Sequence, residues 1–516
     1  MRFGFCGRTY QPQTPLADAE LSINWYPEQM ESSSARTAWA LLPTPGLSLF
    51  ATLAGGIPRG FCTVSGRTFV VGGTHLYELT ANGVLTDYGG NPATANNNIL
   101  NDGLPVTMIG GGTAGGIYPG QLAIASGGTL TVFLLATNAF AAITAAPANI
   151  LMIDYLDGFF VALQSNNIFQ ISNPEDATTW TGLSVSQVSV FSDQLLAIIA
   201  TNRLLWVFGA KRAVAYYNAG LPIFPFAVLN GGFMEVGILA QYSVARVATA
   251  NGTTICWLGG DERGAGMVFA AAGQTATRVS DHGFEYWMQS QKVNITDAVG
   301  FATQENGHNF YWLWFPTANA TWRLDVDLNM WHRMSSIIKG VQGQGAHLAR
   351  CHTYNFGLHL VGDRNSGNVY SMSTQYLSEM TGIGISTPIV RTRIGPTVSA
   401  ESSQNPMPIN EFQVDFETGL GPQPPLTDGF GNPRDPYAVF SYSEDFGKTW
   451  TPDRMIACGK AGNSKVAAID RRLGSWASFT PKVVVSDPIP WRIADAYINP
   501  TESGQDRLAR KYLAVS

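Results

Sequence analysis

Ser443-Glu444-Asp445-Phe446-Gly447-Lys448-Thr449-Trp450 is the stretch whose residue types and spacing come nearest to a built site. It follows the pattern Ser-x-Asp-x-Gly-x-Thr-Trp. Asp445 is spaced to accept hydrogen bonds from backbone N–H groups of a tight turn, Gly447 admits the bend, and Trp450 can pack beneath it. With Ser443 and Thr449, this set holds a turn rather than breaking a bond. Two carboxylate pairs, Asp154 with Asp157 and Glu175 with Asp176, have the types that glycoside hydrolysis uses as acid and base. On turns, however, Asp more often caps backbone donors. The seven histidines show no His-Glu-x-x-His or comparable ligand spacing, and His308 and His332 read as turn or core residues. Asp363-Arg364-Asn365-Ser366-Gly367 lacks the acidic ligands and terminal Glu of a calcium loop. Phosphate-cradling glycine loops and a Gly-x-Ser-x-Gly elbow are missing. The expectation is therefore a protein with no catalytic residues, no cofactor and no metal.

The elements that would position these residues are short strands. Of 516 residues 45% are apolar, enough for a large interior divided over two or three domains. Only 13% are charged, about half the usual share. A surface so poor in charge suits one covered by other subunits, or a secreted β protein rich in Ser, Thr and Asn. The 55 glycines supply tight turns. A net charge of −6 without clustered Lys or Arg argues against stable DNA binding, yet allows a wall past which DNA slides. Cys6, Cys62, Cys256, Cys351 and Cys458 are widely scattered, as buried free thiols of a chain made in a reducing cytoplasm would be. No apolar stretch reaches membrane-spanning length, so membrane insertion is not expected.

Residues 1–50 read as an extended N-terminal arm. Gln11-Pro12-Gln13-Thr14-Pro15 and Pro43-Thr44-Pro45-Gly46 cannot propagate helix, and Trp25, Tyr26 and Trp39 are candidate anchors for an interface with a neighbouring subunit. Between residues 51 and 385, seven hairpins recur at spacings of roughly 35–55 residues, the range of propeller blades. They cover 69–79, 121–133, 159–171, 204–217, 255–269, 310–324 and 358–372. Each is expected to alternate apolar and polar residues, as a half-buried strand does. Lone hairpins are marginal in water, so ring closure is expected. The fold class is all-β: a β-propeller of six or seven blades with a C-terminal β-sandwich-like domain at 386–516. Helix is expected only at 281–291 and 505–513.

The Asp445 turn has the Asp-box form of sialidase-like propellers, where it is structural. A sialidase would need several such repeats and an arginine cluster. Along most of its length the chain resembles another family, the packaged-DNA-stabilisation proteins of short-tailed bacteriophages, also called tail hub or nozzle proteins. The likeness is carried by Asn24-Trp25-Tyr26-Pro27-Glu28, Leu41-Leu42-Pro43-Thr44-Pro45-Gly46, Asn173-Pro174-Glu175-Asp176-Ala177-Thr178-Thr179-Trp180, Trp257-Leu258-Gly259-Gly260-Asp261, Trp331-His332-Arg333 and Ser486-Asp487-Pro488-Ile489-Pro490, in that order.

The resemblance implies a virion-tail subunit, assembled in the bacterial cytoplasm as a homo-oligomeric, typically hexameric ring below the portal and its adaptor ring. That ring would extend the DNA channel, help retain the packaged genome, conduct it during ejection, and carry a needle or plug with fibres or spikes. It implies contact with DNA in transit only and no catalytic residues. The segment 91–144, rich in Gly, Ala, Asn and Thr, departs from the family pattern. The alternative function is a carbohydrate-binding or glycan-cleaving β-propeller.

Overall fold

In the computed structural model, residues 3–32, 34–90, 98–188, 193–250, 252–260, 266–290, 294–337, 345–400, 405–417, 419, 426–428, 430–459, 462 and 467–499 are described. Each of the seven hairpins forms the two middle strands of a four-stranded antiparallel blade. Blade 1 runs Pro58–Val64, Arg67–Gly72, His75–Leu79, Leu85–Asp87, and blade 2 runs Thr107–Gly111, Gln121–Ser126, Thr129–Leu134, Ala139–Ala141. Blade 3 is Ile150–Leu156, Phe159–Gln164, Ile168–Asn173, Asp176–Gln187. Blade 4 is Leu195–Thr201, Leu204–Gly209, Ala213–Asn218, Phe226–Met234. Blade 5 is Ala245–Thr249, Gly252–Gly260, Gly266–Ala271, Thr277–Arg278, with Gly237–Ile238 beside its second strand. Blade 6 is Val299–Glu305, His308–Phe315, Ala320–Asp325, Met330–Met334. Blade 7 takes Ala349–Asn355, Leu358–Asp363 and Asn368–Ser373, and its fourth strand, Gly46–Thr52, comes from the other end of the chain. The blade count is seven.

The middle strands differ from expectation in one respect. Leu204-Leu205-Trp206-Val207-Phe208 and Phe310-Tyr311-Trp312-Leu313-Trp314-Phe315 are apolar without alternation and almost wholly buried. Each blade stands between two others, so a middle strand is covered on both faces and reads as a continuous apolar run. The turn at Asn306-Gly307, with φ of 51° and 88°, has the two positive values that a tight hairpin needs.

The first 50 residues do not form a separate arm. Leu21–Ile23 pairs with blade 6 (Ile23 opposite Arg333) and with Arg391–Ile394. One ten-stranded sheet thus runs from blade 6 through Arg391–Ile394, Ser478–Val485, Tyr437–Ser443 and Arg454–Ala457. Trp25–Gln29 and Trp39–Pro43 belong to a second sheet with Ile493–Ile498, Met407–Phe416 and Ala468–Trp476. These two sheets enclose a core containing Phe5, Trp25, Phe412, Phe440, Phe479 and Trp491. Gly46–Thr52 then enters the propeller and closes it, with Leu47 opposite Met372. The physical reason is backbone satisfaction: an extended segment needs a ladder partner, and here the partners lie in its own chain. A hairpin, Ser378–Gly382 with Ile385–Pro388, pairs alongside the closing strand and widens the blade 7 sheet to six strands. The helix is His282–Ser290, within the expected span; residues 505–513 lie outside the described residues.

Candidate functional site

The Asp445 turn lies in the sandwich, after the strand Tyr437–Ser443, and not on a blade. Ser443 Oγ donates to Asp445 at 2.7 Å. Asp445 accepts from the backbone N–H of Lys448 (3.0 Å) and Thr449 (2.8 Å) and from Thr449 Oγ1 (2.7 Å). These donors hold its carboxyl far below the usual carboxylate range. Gly447 has φ of 87°, and Lys482 Nζ sits 4.3 Å from the centre of the Trp450 ring. Ser443, Asp445, Gly447 and Thr449 are thus all engaged in the turn itself.

Blade 3 contains a turn that works the same way. Asp176 accepts from the Thr178 N–H (2.9 Å) and hydroxyl (2.6 Å) and from the Thr179 hydroxyl (2.7 Å), while Trp180 is buried beneath. The capping role expected for turn carboxylates is what Asp176 performs, and the run Asp176-Ala177-Thr178-Thr179-Trp180 carried that signal in sequence. Glu175 instead accepts from Tyr155 Oη at 3.0 Å. Asp154 receives the Ala200 N–H at 2.7 Å and pairs with Arg246, while Asp157 pairs with Arg203 at 3.3 Å. Asp154 and Asp157 thus tie blade 3 to blades 4 and 5, while Glu175 bonds within blade 3 and Asp176 bonds within it and to Gln121 of blade 2.

The arm aromatics face inward. Trp25 and Tyr26 are 1% and 2% exposed, the first in the sandwich core and the second against Phe310 of blade 6. Trp39 is half-buried on the sandwich core. For Trp25 and Tyr26 the expected role at a subunit interface is corrected accordingly: these two rings anchor the chain to itself. His308 bridges the same segment to blade 6, with Nδ1 2.7 Å from Asp325 and Nε2 3.0 Å from Glu28. The hydrogen bond to Asp325 leads in pushing its pKa up to about 9. His332 is wholly buried, which drives its pKa well down.

The propeller axis was invisible in sequence, and it is where the structure adds most. The first strands of the blades surround it. At the end where those strands begin, the segment Leu100–Leu104 lies across the mouth. Arg59 of blade 1, 2% exposed, donates to the Leu104 carbonyl (2.8 Å), the Leu100 carbonyl (2.7 Å) and the Gly73 carbonyl (3.0 Å), and pairs with Asp102. Arg350 of blade 7 donates to the Gly103 carbonyl, and Ser126 of blade 2 to that of Leu100 at 2.6 Å. Asp102 and Leu104 share a cavity of about 250 Å³ with Ile150 of blade 3 and with Gln241 and Tyr242 beside blade 5. The segment is thus held by blades 1, 2 and 7 at that mouth, with blade 3 and Tyr242 across the shared cavity. The opposite mouth holds an open bowl of about 460 Å³, lined by Arg246, Gln304, Asn306, His352, Tyr354 and His359. His352 Nε2 and His359 Nδ1 are 3.0 Å apart there, and burial pushes His352 down to about 3. Among the described residues no group of three or more His, Cys, Asp or Glu is arranged to hold a metal, and no helix is long and apolar enough to cross a membrane.

A seven-bladed ring closed by the early strand Gly46–Thr52 defines the protein as a β-propeller joined to a sandwich. The chain belongs to the family described as bacteriophage P22 Gp10, β-propeller, whose model matches residues 17–376; it is a bacteriophage structural protein of the packaged-DNA-stabilisation family. No curated protein matches the sequence. Among solved structures, the WD40 β-propeller domain of Doa1 is similar at 9% identity and a TM-score of 0.37, over 64% of this chain and 97% of that one. The computationally designed Ika8 protein gives 9% and 0.36, over 63% and 99%. The extracellular domain of a B. thetaiotaomicron hybrid two component system gives 9% and 0.42, over 64% of this chain and only 39% of that one.

Proposed function

We propose that the protein is a ring-forming subunit of a phage tail nozzle, extending the DNA channel below the portal and adaptor, helping to retain the packaged genome and conducting it during ejection. Membership of the packaged-DNA-stabilisation family supports this reading. The observation that carries it is the segment Leu100–Leu104, bound across one mouth of the propeller by buried Arg59 and by Arg350. A subunit with a bound segment over its own mouth is ill suited to be a conduit alone, so on this reading the conduit is bounded by several copies. On this reading the ring is a hexamer seated on the adaptor ring, it carries a needle or plug with fibres or spikes, and DNA touches it only in passage. The near-neutral composition suits a wall that does not grip phosphates.

Negative-stain electron microscopy and native mass spectrometry of the purified chain, alone and mixed with the adaptor, test this. Closed rings of defined copy number are expected. A persistent monomer in both conditions, especially one retained on a glycan array, would replace the nozzle by the carbohydrate-binding alternative.

A further inference from the structure

We propose that neighbouring copies join head to tail at the propeller rim, the knob between blades 3 and 4 of one copy receiving the hairpin at residues 378–388 of the next. This contact rests on the ring reading above and names the surfaces that would make it. The knob is built around Ile223, which is 74% exposed and has φ of 73°. A β-branched side chain in the left-handed region is strained, and such strain persists only where the surroundings enforce it. Pro222 and Pro225 flank it, and its carbonyl lies 3.5 Å from Ser184 Oγ of blade 3. Next to Ser184 stands Leu183, 78% exposed; Leu221 and Val228 extend the patch. No charged residue occurs from Ala177 to Val188 or from Val214 to Met234, although both stretches include outer strands of blades. Free edge strands normally carry charge to prevent pairing with other chains, so these two have the composition of edges that become covered.

The second surface lies across the disc. Blade 7 is three blades from blade 3 in one direction and three from blade 4 in the other. Its added hairpin projects outward, with Ile383 at 99% exposure, Ile385 at 54% and Met380 at 43%. From Met380 to Val390 there is again no charge. Two different, oppositely placed apolar surfaces on one chain are what a heterologous contact requires: each copy gives one and uses the other, and closure leaves neither exposed. A foreign partner would cover only one. Each surface presents three or more large apolar side chains over 40% exposed, the apolar centre that an interface of the standard ~1,600 Å² is built around.

The test uses full-length chains with Ile223→Asp or Ile383→Asp. Both side chains are exposed, so wild-type melting curves are expected and would be recorded first. Each variant alone should self-associate at least ~30-fold more weakly and run as a monomer. An equimolar mixture should stop at a heterodimer, because only one knob and one hairpin remain intact and the two outer ends are both blocked. A double Ile223→Cys, Ile383→Cys chain should oxidise to covalent multimers up to the closed ring, and neither single cysteine variant should. If the wild type forms rings and both Asp variants still form them, the contact is wrong while the ring reading stands. If the wild type forms no ring with or without the adaptor, both fall. A mixture that builds full rings would also overturn the head-to-tail geometry.

Discussion

Glu379 sits at the base of the exposed hairpin, 2% exposed, accepting from Ser336 Oγ at 2.6 Å with His347 Nε2 3.8 Å away. Burial pushes its pKa up to about 8 and that of His347 down to about 3, so at neutral pH their contact is mainly between uncharged groups. Arg391 and Asp363 are the other charges that Glu379 feels. A carboxyl whose pKa rises on folding contributes stability that is complete below about 4.5 and falls as pH climbs toward 8. Glu379→Gln keeps an acceptor for Ser336 and removes the ionisation. Its melting temperature should match wild type at pH 5 and exceed it by several degrees at pH 8.5; an equal difference at both pH values would refute the assignment. His308 acts in a neighbouring window with the same sign. Its pKa rises from 6.5 to about 9, so the clip to Glu28 and Asp325 is fully present below 6.5 and lost through 9. Neither effect was legible in sequence, because both depend on residues brought together from far along the chain.

At the scale of elements, legibility divided along sequence distance. The seven middle hairpins could be read because their partners lie a few residues away and their turns carry Gly, Asn or Asp. The first 50 residues could be read as extended, and their aromatics as anchors, but not what they anchor to: Ile23 meets Arg333, and Leu47 meets Met372. Ile223 was hidden for another reason, since its flanking prolines mark a loop but not a positive φ. The closing strand offers a direct check on this assignment. A Cβ on Gly46 would lie 2.3 Å from the Tyr376 carbonyl oxygen and 2.6 Å from that of Ser378, both backbone atoms without freedom to yield. Gly46→Val should therefore displace the strand and destabilise the protein by ~3 kcal/mol. Limited proteolysis should then cut within residues 30–55 at protease levels that leave wild type intact. Unchanged melting and protection would mean that ring closure does not depend on this strand.

For the whole molecule, the same interlacing decides how propeller and sandwich respond to load. The ten-stranded sheet crosses from blade 6 into the sandwich through Leu21–Ile23, and the chain then passes through the second sandwich sheet before closing blade 7. Separating the two units means breaking ladder hydrogen bonds and exposing Trp25, Tyr26 and Leu47 together. A hinge is therefore not available at the junction. Two domains linked only by a connector would melt separately; two that share a sheet and exchange strands should melt as one. Calorimetry at a concentration where the chain is monomeric should give a single transition whose van't Hoff and calorimetric enthalpies agree. Removing residues 389–516 should leave Trp25 and Leu41 without their core and yield a chain that does not fold. Two resolved transitions, or a soluble truncated propeller with native blade contacts, would show that the sandwich is an attachment rather than part of the propeller's closure.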